Sequence, residues 1–117
     1  MTSKIKKRFD RLVSCVKLND VQQLEHYVKR KKYAKLHWDE TVVNKRKETL
    51  LHLACRLCKH EVVRFLLEKS LGDPTSIDSK GNTALHLGLK AVMKIDDKNS
   101  YMAGSLHTFY VIHSLIS

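Results

Sequence analysis

The chain has 117 residues, 43% of them hydrophobic and 29% charged, which fits one packed domain spanning 1–117 and excludes wholesale disorder. One proline and four glycines are too few for a turn-rich sandwich or barrel, and no apolar run approaches the length that spans a bilayer. The net charge of +10 is uneven: residues 1–47 hold 14 Lys/Arg against 5 Asp/Glu, a net of +9, whereas residues 48–117 hold 8 against 7, a net of +1.

The opening MTSKIKKRFDRL is charged and lacks a following apolar stretch, so no secretory signal is expected. The three cysteines, Cys15, Cys55 and Cys58, are odd in number and form no disulfide-like framework, which points to a reducing compartment. Residues 10–32 read as a helix pair. In LVSCVKLNDVQQLEHYV, Leu12, Cys15, Leu24, Tyr27 and Val28 match the skeleton of LHLACRLCKHEVVRFLL at 51–67, and Asn19-Asp20 takes the turn.

Residues 33–47 read as a basic connection. Three basic tracts, KIKKR at 4–8, KRKKYAK at 29–35 and NKRK at 44–47, are either a solvated capping face or a platform for a polyanion. In the second case Lys29, Arg30, Lys31, Lys32 and Lys35 form a nuclear-import signal or a nucleic-acid contact. Tyr33 and Trp38 lie among these charges, where they either stack on bases or cover the end of the core.

The middle of the chain repeats itself. ETLLHLACRL from Glu48 overlays NTALHLGLKA from Asn82, with Thr49, Leu51, His52 and Leu53 falling on Thr83, Leu85, His86 and Leu87 at a shift of 34 residues. Between them lie an apolar helical stretch through Val62, Val63, Leu66 and Leu67, then turns at GDP and DSKG. The second copy occupies 81–117, with a polar insertion, KIDDKNSYMAGS, at 94–105. SLHTFYVIHSLIS then reads as its closing helix, with Ile112, Leu115 and Ile116 in the places of Val63, Leu66 and Leu67. The chain stops where that helix would finish, so a fragment of a longer protein is the expectation.

This pattern resembles the ankyrin repeat, with its T-P-L-H-x-A start, V-x-x-L-L second helix and G-A-D-P and D-x-x-G turns; the usual period is about 33. The proline is absent from both copies, replaced by Leu50 and Ala84. The resemblance implies an all-α fold: a short ankyrin-repeat solenoid of about four helix pairs, two clear repeats flanked by degenerate capping units. It places Thr49 and Thr83 as helix N-caps, and His52 and His86 as ties between the motif threonine, nearby backbone and the adjacent repeat.

The span from His52 to His60 also holds Cys55 and Cys58, which raises zinc as a rival reading. A structural zinc site takes four ligands, normally from two paired clusters, and there is no second C-x-x-C. On a helix Leu51, Ala54, Cys55 and Cys58 share one arc, so both thiols are expected to pack in the core, with no metal and no cofactor. No H-E-x-x-H, G-x-S-x-G or P-loop is present, and no enzymatic activity is expected.

Ankyrin stacks bind proteins through turn tips and the exposed side of their first helices. The matching positions are Lys45, Arg46 and Glu48, then Ser79, Lys80 and Asn82, with Arg56, Leu57, Lys90 and Ala91 on the helices. Five of these ten are basic and one is acidic, so an acidic segment of a protein partner is the expected ligand. Lys47 stands where glycine normally allows positive φ, which would reshape that tip. The basic N-terminal helix, long basic connection, two repeats and aromatic closing helix are also similar to the NF-kappa-B inhibitor-like proteins. That likeness implies a monomeric nuclear regulator of transcription or RNA processing, with the cytoplasm the second choice. A nucleic-acid-binding protein using residues 1–47 is the rival.

Overall fold

Ile5, Phe9, Leu12 and Val16 lie three or four residues apart, so helical winding gathers them into one apolar stripe. The computed structural model describes residues 3–98, and in it α1 (Ser3–Lys17) buries Phe9, Leu12, Cys15 and Val16. The helix starts well before residue 10, where the pattern placed it, because Ile5 extends the stripe and no Gly or Pro interrupts 3–9.

Next comes α2 (Val21–Lys29), whose Asp20 cap accepts from the Gln23 N–H at 3.1 Å. A single short turn, α3 (Lys31–Ala34), follows. Residues 33–47 are therefore more than a solvated connection. Tyr33 is 2% exposed and Trp38 1% exposed. The Trp38 indole N–H donates to the Tyr33 carbonyl at 2.7 Å, and the Tyr27 and Tyr33 rings lie 4.5 Å apart between centroids. Both rings close the end of the core and are withdrawn from any base.

The first clear repeat supplies α4 (Leu50–Arg56) and α5 (His60–Glu68), and the second opens with α6 (Ala84–Lys98). α4 packs between α1 and α6, and α2 packs on α5, so first and second helices form two rows. Leu12, Leu24, Leu50, Leu51, Ala54, Val62 and Leu66 fill the space between them without measurable exposure. The expected insertion at 94–105 is corrected at its start: residues 94–98 continue α6, since LKAVMKIDDK has no helix breaker. Residues 99–105 and the expected closing helix at 106–117 lie outside the described residues.

Three helices end in the same way. Asn19, Cys58 and Ser70 adopt φ of 54°, 58° and 56°. Behind each, paired backbone bonds such as Lys59 N–H to Ala54 at 2.9 Å and Cys58 N–H to Cys55 at 3.2 Å complete a Schellman motif. This corrects the reading of Cys58. α4 stops at Arg56, so Cys58 sits half-buried in the left-handed cap position rather than on the buried arc, whereas Cys55 is 3% exposed within the core. Farther on, the loop after α5 crosses Leu51 so closely that a Cβ on Gly72 would meet its side chain at 3.0 Å.

Candidate interaction face at the repeat tips

Thr49 and His52 build the start of α4 from one reciprocal set of bonds. The Thr49 N–H donates to His52 Nδ1 at 3.2 Å, and the Thr49 hydroxyl lies 2.9 Å from the same nitrogen. The ring's other nitrogen, Nε2, lies 2.9 Å from the Ser76 carbonyl and 3.1 Å from the Asn82 carbonyl. Carbonyls only accept, so Nε2 carries the proton and Nδ1 is the acceptor. His52 is fully buried and fixes α4 to the tip of the following repeat. His86 makes the same Nδ1 contacts with Thr83, at 3.1 Å to its N–H and 2.9 Å to its hydroxyl.

The tips themselves are two copies of one hydrogen-bonded loop. Asn44 Oδ1 accepts from the N–H groups of Arg46 and Glu48 at 3.0 and 3.2 Å. Asp78 Oδ1 accepts from those of Lys80 and Asn82 at 2.9 and 2.8 Å. The fifth residue then pairs back: the Asn44 amide donates to Glu48 at 2.8 Å, and the Asn82 amide to Asp78 at 3.5 Å. One amide and one carboxylate are present in each loop with their places exchanged. Lys47 has φ 58° and Gly81 φ 78°, so the lysine adopts the glycine conformation and the tip is not reshaped. Burial pushes the Asp78 carboxyl up, but the N–H groups of Asn82 and Lys80 outweigh it and hold it below its usual range.

Each first helix returns a cation to its own tip. Arg56 Nε and Nη2 reach the Glu48 carboxylate at 2.9 and 3.2 Å, and Lys90 Nζ reaches Asn82 Oδ1 at 3.2 Å. Glu48 is therefore corrected as a contact residue: it is fully buried beneath Arg56 and cannot meet a partner. Leu57 is half-buried and packs against the core, and Asn82 and Ala91 are half-buried. Lys45, Arg46, Ser79, Lys80 and Lys90 are exposed, as is Lys47. The Ser79 N–H donates to the Arg46 carbonyl at 2.8 Å, which locks the two tips in register.

Lys29, Arg30, Lys31, Lys32 and Lys35 are exposed around α3. Among the described residues no three His, Cys, Asp or Glu side chains converge as a metal would need. Nor is any helix there long and apolar enough to cross a membrane. Sequence reasoning missed the Glu48–Arg56 and Asn82–Lys90 pairings, although their equal eight-residue spacing in both copies is visible in the sequence.

A family model described as ankyrin repeats matches residues 12–95 in three copies, which is well over half of the chain. No curated protein and no solved structure matches, and nothing found supports the likeness to the NF-kappa-B inhibitor-like proteins. With three matched copies lying over helices and tips whose bonds recur at 34 residues, the chain belongs to the ankyrin repeat family, whose stacks are protein–protein interaction modules.

Proposed function

We propose that the tip face captures an acidic segment of a regulatory protein. The observation that carries this reading is the Ser79–Arg46 backbone bond, which holds exposed Lys45, Arg46 and Lys47 on one tip in register with exposed Lys80 on the next. The one acid among the ten expected contact positions, Glu48, is buried and neutralised by Arg56, so it does not offset that field. The N-terminal basic tracts, which suit an import signal, extend the proposal to a nuclear setting, in transcription or RNA-processing control. Burial of Tyr33 and Trp38 removes the stacking platform from the rival nucleic-acid reading and leaves it only charge.

Fluorescence anisotropy with a labelled poly-glutamate peptide tests the proposal, with a poly-glutamine peptide as control. Replacing Lys45, Arg46 and Lys80 by Ser should abolish poly-glutamate binding, and replacing Lys29, Arg30, Lys31 and Lys32 by Ser should leave it largely intact. The reverse pattern refutes the assignment of the site.

A further inference from the structure

Arg11 Nη1 donates to the Tyr33 hydroxyl at 3.3 Å, a contact that joins α1 to α3 across 22 residues of sequence. At the helical pitch Lys4, Lys7 and Arg11 fall on one flank of α1, within about 100° of arc, and Arg11 shows that this flank faces Tyr33. α3 and its C-cap add Lys31, Lys32 and Lys35, which flank Tyr33 in the chain and are exposed on the outer arc of the turn while the ring is buried. All six cations are exposed, and among the described residues none pairs with a carboxylate. The Arg11–Tyr33 bond therefore brings basic tracts far apart in the chain onto adjoining elements, α1 and α3, in the N-terminal unit of the stack.

We propose that this α1–α3 stripe is a sequence-independent binding surface for duplex nucleic acid, gripping its backbone phosphates. A duplex has the dense, regular charge that a row of lysines neutralises best, with release of condensed counterions. A single strand is disfavoured because Tyr33 and Trp38, the rings that would stack on its bases, are buried. An anionic membrane is disfavoured because the large apolar side chains exposed among the described residues, Leu18, Val42, Ile77 and Leu89, lie outside the stripe and give it no wedge to insert. The stripe shares no residue with the repeat tips and does not depend on the reading given to them.

The test uses the full chain and a fluorescein-labelled DNA duplex of mixed sequence, followed by anisotropy across a salt series. Binding should weaken linearly in log–log form, and a duplex of scrambled sequence should bind equally well. Lys4→Ser with Lys7→Ser, and separately Lys31→Ser with Lys32→Ser, should each lower the salt slope by about one per lysine removed and weaken binding at least about tenfold. Circular dichroism and poly-glutamate binding should be unchanged in both variants. An α1 variant that binds like the parent overturns the composite stripe, as does failure to bind duplex at low salt. Strong sequence preference, or capture by phosphatidylserine vesicles but not by duplex, also overturns the proposal.

Discussion

The Arg56 guanidinium holds the buried Glu48 carboxylate in a two-point grip at 2.9 and 3.2 Å, and Lys90 touches Asn82 from the corresponding positions one repeat later. A first-helix cation thus braces each tip from behind, while the tip's own cations remain exposed to a partner. In the first tip the brace also cancels the charge that would repel an acidic ligand.

Removing Arg56 should therefore destabilise the fold as well as change its surface. Arg56→Ala leaves Glu48 buried with the Asn44 amide as its remaining side-chain partner. Because the arginine is one-third exposed, the loss should be about 2 kcal/mol, below the range for a fully buried pair. Arg56→Lys should recover only part of it, since an ammonium cannot reproduce the fork. Urea denaturation of the two variants checks both values, and an unchanged midpoint for Arg56→Ala would contradict the pairing.

His52→Ala should lower stability by about 2–4 kcal/mol, because it opens a cavity and strands the Thr49 N–H and the Ser76 and Asn82 carbonyls. Thr49→Val, which keeps the shape but loses the hydroxyl cap, should cost about 1 kcal/mol. Melting curves suffice, and an unchanged curve for His52→Ala would count against its bracing role.

Ser70 is exposed and holds the left-handed cap position at φ 56°, a conformation that disfavours a side chain. Ser70→Gly should therefore stabilise the protein by about 1 kcal/mol. A loss of stability in the same denaturation assay would contradict the Schellman geometry at the end of α5.

Burial, helped by the neighbouring Cys58 charge, pushes the Cys55 thiol up from 9.0 to about 12. The folded state thus keeps its proton while the unfolded chain releases it. The contribution is intact below pH 9 and is lost as pH rises toward 12, at up to about 1.4 kcal/mol per pH unit. Denaturation midpoints above pH 9 should fall more steeply in the parent than in Cys55→Ala. Equal slopes would show that Cys55 does not resist ionisation.

The parts legible in the sequence were those written in short-range spacing. Thr49 and His52 lie three residues apart on one turn, and their partners repeat at Thr83 and His86, so cap and brace follow from the motif. Burial that depends on distant partners was less legible. Glu48 looks like a surface tip residue until α4 brings Arg56 over it, and Tyr33 and Trp38 sit in a tract whose charges suggest solvent. Cys58 shows where periodicity misleads: the spacing put it on the buried arc, whereas α4 ends at Arg56 and Cys58 adopts a φ of 58°.

Amide-resolved NMR during titration with a poly-glutamate peptide reads out where on the protein an acidic chain sits. Shift changes should concentrate at residues 44–47 and 79–82 and at Lys90, and should be suppressed when Lys45, Arg46 and Lys80 are changed to Glu. Changes confined to residues 29–35, or a tip response that survives the charge reversal, would contradict the proposed tip site.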